Sequence, residues 1–291
     1  MTRGSNFNPA GDQAEQLREL VRQTADESAL TVAVVSGKGG VGKTNLAVNV
    51  SICLSARGQR VALLDGDLGL ANADLLMNVD APFNLSHVLS GQRDIDEIIV
   101  EGPGEVLLIP GGSGVARLAN LSEFERHHLV RMLAPLERDA DVILLDCGAG
   151  ISANVTTLAM AADLILVVTT PEPTSMTDAY AMIKSLTQKE YAGRIGLVAS
   201  QVTGAAEATA AYRRIANVAN RFLGLQIADF GYILADHHVG AAVRARCPVV
   251  LRYPRSPASA CMMSIARELA KNVRGQEGQA SFFKRVVNLF L

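Results

Sequence analysis

The sequence predicts an α/β chain built on a doubly wound, mostly parallel sheet flanked by helices, and three observations carry that expectation. Several apolar runs are continuous rather than alternating: Val61-Ala62-Leu63-Leu64, Val142-Ile143-Leu144-Leu145 and Leu164-Ile165-Leu166-Val167-Val168. Such runs suit strands covered on both faces, which is the situation in parallel sheets. They alternate with helical patterns over residues 30–274. Finally, Gly37-Lys38-Gly39-Gly40-Val41-Gly42-Lys43-Thr44 lies between an apolar run and a helical pattern, so a glycine loop joins a strand to a helix.

Taken in order, residues 1–11 read as a disordered leader, with no apolar core of a signal peptide. A short helix is expected over Asp12–Leu20, with Asp12 as its cap and Glu15 completing a capping box. Its stripe of Ala14, Leu17, Leu20 and Val21 is too narrow to fold alone. It either packs on the main domain or is offered to a partner, and the polar stretch to Ala29 links it to that domain.

Strands are expected at 31–36, 60–65, 105–109, 141–146, 163–169, 194–200 and 226–233, and helices at 43–57, 122–138, 152–161, 174–190, 205–222 and 256–273. Ligands are expected at the C-terminal ends of the strands. Gly275–Ser281 is a small polar linker. In the last helix, Phe282, Phe283, Val286, Val287, Leu289, Phe290 and Leu291 fill one half of a helical wheel; Lys284, Arg285 and Asn288 fill the other. This helix either docks on the core or lies on a membrane surface. The linker, basic polar face and bulky apolar face favour the membrane. Three segments result: 1–29, 30–274 and 275–291.

Composition limits the function classes. With 291 residues, 49% apolar and 19% charged, the chain is globular with ample core. A net charge of -2 and the lack of tryptophan argue against generic nucleic-acid binding, and no apolar run is long enough to span a membrane. Cys53, Cys147, Cys247 and Cys261 lack metal-type spacing and read as reduced thiols of a cytoplasmic protein. The pairs His127-His128 and His237-His238 point about 100° apart on a helix, so neither reads as a ligand pair.

The glycine loop is a P-loop: Gly37, Gly42, Lys43 and Thr44 stand at the required spacing. The backbone N–H groups from Gly37 through Gly39, Gly40, Val41 and Gly42 to Asn45 can cradle phosphates. Lys43 reaches the outer phosphates, and the Thr44 hydroxyl can ligate Mg²⁺. Asp65 and Asp67 close the second strand. Asp146 ends the apolar strand 142–145, as a Walker B carboxylate that holds Mg²⁺ directly or through water. Gly148 and Gly150 would let the next loop move as a switch.

Lys38 is superfluous in a plain P-loop. With it, Lys38-Gly39-Gly40-Val41-Gly42-Lys43-Thr44 resembles the deviant Walker A class of MinD, ParA and nitrogenase iron-protein relatives. Leu64–Asn72, Thr169–Ser175 and Ile233–Val250 are similar to further motifs of the class, and the likeness covers roughly residues 30–272. It implies ATP hydrolysis with Mg²⁺ in a nucleotide-sandwich homodimer. Lys38 would cross to the partner's nucleotide, Asp67 would orient the attacking water, and Asp65 and Asp146 would serve the Mg²⁺ shell.

Asp12-Gln13-Ala14-Glu15-Gln16-Leu17-Arg18 resembles the activator helix of the FlhG (FleN) family, MinD-like ATPases that control flagellar number and placement. That resemblance implies stimulation of an FlhF-type GTPase, with Gln13 reaching its catalytic site and Leu17 and Arg18 in the contact. It also implies attachment of the C-terminal helix to the inner face of the cytoplasmic membrane. A flagellar transcription activator or C-ring proteins are further implied partners.

Two departures stand out. Cys147 replaces a small or hydroxyl residue, and Gln201 stands where an asparagine usually reads adenine. The alternative, a ParA-type DNA-partitioning ATPase, would use Arg244, Arg246, Arg252 and Arg255, although direct DNA binding is not expected from the charge balance. A nitrogenase-type reductase would need a companion cysteine for Cys147.

Overall fold

Leu30–Ser36 is buried at every position and forms the central strand, β1. The structure, a computed structural model, describes residues 29–67, 72–112, 132–273 and 282–289. Within these, β1 is followed by β2 (Val61–Gly66), β3 (Val100–Glu101), β4 (Leu107–Pro110), β5 (Val142–Ala149), β6 (Leu164–Thr169), β7 (Arg194–Val202) and β8 (Ala228–Leu234). They form one sheet in the order β3-β4-β2-β5-β1-β6-β7-β8. Every neighbouring pair is parallel except β3 with β4. From β1 the chain passes over β5 to reach β2, whereas from β5 it passes over β1 to reach β6. The crossovers therefore reverse around β1, which makes its C-terminal end the ligand crevice.

Strand residues alternate between two cores, as continuous apolar runs require. Ala33 and Val35 join Leu158 of α6 (Ala153–Met160), Met182 of α7 (Pro173–Gln188) and Ile215 of α8 (Ala205–Leu223). Val32 and Val34 join Leu46 of α1 (Lys43–Ser55) and Ile265 of α11 (Pro257–Ala270). The helix α1 is buried almost all round because it lies between the sheet and α11.

The strands lie close to their expected bounds, with two exceptions. β5 runs three residues past Asp146, because β1 continues beside it and Ser36 pairs with Ala149 beyond a register shift. Cys147 and Gly148 are thus strand rather than loop, and the left-handed backbone begins only at Gly150, φ +92°. The antiparallel β3 was not expected, since two residues carry no periodicity. The same brevity hid α2 (Ala73–Met77), α3 (Leu85–Leu89) and α4 (Ile95–Ile98). Of the helix expected at 122–138, the described part is α5, residues 132–139. Between β8 and α11 lie α9 (His237–Arg244) and α10 (Val249–Arg252).

The N-terminal helix, with Gln13, Leu17 and Arg18, lies outside the described residues, as does the 275–281 linker. The C-terminal helix is α12 (Phe282–Leu289), and it docks on the core. Phe282 is fully buried and Val286 nearly so, in the same core as Leu158. The Phe282 N–H donates to Glu137 Oε1 at 2.6 Å. Arg285, expected on a solvated face, turns inward: Nη2 pairs with Asp163 Oδ1 at 2.7 Å and donates to Thr31 Oγ1 at 3.1 Å, and Nε donates to the Ala161 carbonyl at 2.7 Å. The physical reason is Asp163, whose side chain is 4% exposed and needs a counter-charge. Among the described residues no helix is long and apolar enough to cross a membrane.

Candidate functional site

The loop from Ser36 to Thr44 leaves the C-terminal end of β1 and starts α1. Ser36 Oγ donates to the Lys38 carbonyl at 2.6 Å and fixes the first bend. Gly37 packs so tightly on α7 that a Cβ there would lie 2.3 Å from the Asp178 carbonyl oxygen. Gly42 caps α1 at φ +97°, a conformation open to glycine at little steric cost. No side chain caps this helix N-terminus and its first turn holds no acid, so its N–H groups and partial positive charge face the cleft. The cleft measures about 500 Å³, and Lys43, Thr44 and Asn45 line it with Asp67.

Register places the carboxylates. Asp65 and Asp146 are direct partners across β2 and β5, at one height beside the loop. Asp65 accepts backbone N–H bonds from Asp67 (3.2 Å), Asn72 (3.0 Å) and Ala73 (3.1 Å), so it anchors the chain leading into α2. Burial raises its pKa, and these N–H groups offset part of the rise. Asp146 is buried with no hydrogen-bond partner on either oxygen. Burial pushes it up to about 7; the Thr44 hydroxyl and Lys43 counter this, while Asp65 and Asp67 add to it. An unpartnered buried carboxylate beside a threonine hydroxyl and a P-loop lysine suits a hard cation with oxygen ligands, so these residues fit Mg²⁺. Asp67 lies beside Gly148, where a Cβ would come within 3.6 Å of its Oδ1.

Lys38 does not line the cleft. Its ammonium pairs with Glu172 Oε2 at 2.8 Å and donates to Thr174 Oγ1 at 3.3 Å, at the start of α7. Both side chains are largely exposed (42% and 64%), and such pairs contribute about 0–1 kcal/mol, so a phosphate could displace this one. Glu172 was not singled out in the sequence, although its segment was. Gln201, at φ +58°, donates its Nε2 to the Gly40 carbonyl at 2.9 Å and so clips the end of β7 to the P-loop. It borders a second, smaller cleft of about 310 Å³ with Ile233, Val239 and Met262.

Two sequence expectations change here. The rings of His237 and His238 do converge, with centroids 4.0 Å apart and both Nδ1 atoms within 3.8 Å of Asp236 Oδ1. The Asp236 carboxylate however accepts from the His238 N–H, which makes it the cap of α9, and from the Ala258 N–H in the first turn of α11. Burial alone would raise its pKa, but these bonds, with the His238 and Ser256 side chains, bring it down to about 2. Two of the four arginines of the alternative reading also have local surroundings of their own. Arg252 stacks on Tyr253, its Cζ 5.6 Å from the ring centroid, and Arg246 lines the P-loop cleft. All four cysteines are free thiols; burial raises Cys53 to about 11 and also pushes Cys147 up.

Comparison with known proteins agrees with this geometry. The AAA domain family matches residues 29–193. The antiactivator FleN of Pseudomonas aeruginosa is 35% identical over 238 residues, which cover 82% of this chain and 85% of FleN. The flagellum site-determining protein YlxH of Helicobacter pylori is 34% identical over 263 residues, 88% of this chain and 89% of its own. Among solved structures, the cell division ATPase MinD of Pyrococcus furiosus aligns with a TM-score of 0.68 at 25% identity, over 84% of this chain and 99% of that one.

Proposed function

Since the chain belongs to the FleN- and MinD-like family of AAA-domain ATPases, we propose that it hydrolyses ATP as a dimer and uses that cycle to control flagellar number and placement. Lys43 and the N-terminus of α1 would hold the phosphates, and Thr44, Asp65 and Asp146 would hold Mg²⁺, which would screen the phosphate charge. Asp67 orients the attacking water. Gln201 stands where the base would be read, so ATP over GTP is a family expectation.

The observation that carries the reading is the position of Lys38. It sits beside the P-loop yet outside its own cleft, on an exposed pair that is easily exchanged. A lysine so placed is available to a second subunit's nucleotide. A positive group supplied in trans adds about 10³–10⁵ in rate in arginine-finger enzymes. ATP turnover per subunit should therefore rise with protein concentration. Lys38→Ala should keep nucleotide binding and lose dimerisation and turnover; turnover unaffected by this substitution at every concentration overturns the reading.

The flagellar role draws on the FleN and YlxH relatives and on the Asp12–Arg18 motif. It includes stimulation of an FlhF-type GTPase by the N-terminal helix, with a flagellar transcription activator or C-ring proteins as further partners. In a GTPase assay with an FlhF-type protein, the full chain should stimulate and a chain lacking residues 1–28 should not. No stimulation by the full chain removes this part of the proposal. Membrane attachment at the inner face of the cytoplasmic membrane requires α12 to leave its groove, because Phe282 and Val286 are buried there. Two released tails in one dimer would gain about 10²–10⁴-fold in avidity over one.

A further inference from the structure

Arg246 is a second cation in the P-loop cleft, and it reaches that position at a conformational expense. It follows α9 with φ +48°, the left-handed position that glycine usually fills after a helix. Its N–H donates to the Val243 carbonyl at 3.0 Å, which holds the turn. Arg246 lines the same cleft as Lys43, Thr44 and Asp67, together with Val243, Leu75 and Leu76. Its guanidinium makes no ion pair or hydrogen bond with any described residue. Arg244, two residues earlier, instead lies back along α9, with Nη1 3.5 Å from where a Gly240 Cβ would be.

An unpartnered arginine lining a cleft that holds Lys43, an uncapped helix N-terminus and a single acid, Asp67, has an evident complement in a polyanion. We propose that Arg246 binds phosphate oxygens of the nucleotide held by this chain's own P-loop. The inference rests on the nucleotide-binding reading above, and makes Arg246 a binding residue contributed by a remote part of the sequence. Guanidinium donors match phosphate oxygens in pairs, and hydrogen bonds to charged groups are the strong ones. Left-handed strain in a non-glycine residue is sustained when the surrounding structure holds it, and such sites concentrate where ligands bind.

The test uses the full chain, ADP and no second subunit, with ADP affinity measured by calorimetry and nucleotide-free stability by thermal unfolding. Arg246→Ala and Arg246→Gly should weaken ADP binding about 10- to 100-fold, the loss expected for a hydrogen bond to a charged group. Arg244→Ala should bind like the native chain. Arg246→Gly should also unfold at a higher temperature than the native chain, because glycine relieves the left-handed position. Weaker binding with unchanged or improved stability supports the proposal. Native-like ADP affinity in Arg246→Gly overturns it, as does a loss of affinity accompanied by a lower unfolding temperature. A native chain that binds no ADP overturns the nucleotide-binding reading itself.

Discussion

Asp146 shows how much a single residue can hold in reserve. Its partnerless carboxylate is suited to a cation and unsuited to the interior it occupies without one. Folding raises its pKa from an ordinary 3.8 to about 7, so between these values the folded chain holds a proton that the unfolded chain does not. Stability of the nucleotide-free protein should therefore fall as pH rises through that window, by about 4 kcal/mol if Asp146 acts alone. Asp65, also raised, acts in the same direction. Urea unfolding at pH 5 and pH 8 captures about 2.7 kcal/mol of this, and Asp146→Asn should flatten the difference; an undiminished difference in the variant excludes Asp146 as its source. The three acids were legible in the sequence, because each closes an apolar strand beside a glycine loop. Their division of labour was not. The bonds that engage Asp65 come from backbone N–H groups, which every residue type but proline carries. The side-chain sequence therefore does not distinguish an anchored carboxylate from an orphaned one. The bond from the Gln201 amide to the Gly40 carbonyl was likewise not legible, because the sequence places the two 161 residues apart.

At the scale of elements, α12 is the instructive case. A wheel with one apolar half looks the same whether that half meets lipid or protein, so the alternatives could be separated only by what lies opposite. Opposite Arg285 lies Asp163, distant in sequence and buried at the start of β6. The pair, with the Thr31 and Ala161 contacts, fixes the helix in its groove. Arg285→Ala removes charge-assisted hydrogen bonds worth about 1.5–3 kcal/mol each and leaves a buried carboxylate with Thr31 as its neighbour. The variant should sediment with anionic liposomes even without ATP, whereas the native chain should require ATP. If both sediment equally in ADP and ATP, the docked helix is not what restrains membrane contact. The longer elements were legible because continuous apolar runs determine both faces of a strand at once. Elements of two to five residues, such as β3 and α2, span little more than a single period, too little for a repeat to reveal them.

Across the whole molecule, strand order joins what the sequence keeps apart. β1 is bounded at one end by the P-loop and at the other by Thr31, whose hydroxyl donates to Asp163 Oδ2 at 2.6 Å and accepts from Arg285 at 3.1 Å. The sequence indicated a nucleotide site and two terminal helices, but not that one strand spans from the site to the seat of α12. If ATP favours release of α12, equilibrium linkage requires the converse, since coupling between two binding events is reciprocal. A seated α12 must then disfavour ATP by the same factor. Removing residues 282–291 should tighten ATP binding while leaving ADP binding unchanged, measurable by calorimetry in the absence of membrane. Equal affinities for ATP with and without the helix would mean that the two ends of β1 are independent. Otherwise the last ten residues act as an intramolecular competitor of ATP without touching the nucleotide, and a lipid surface, by sequestering them, raises the chain's affinity for its own fuel.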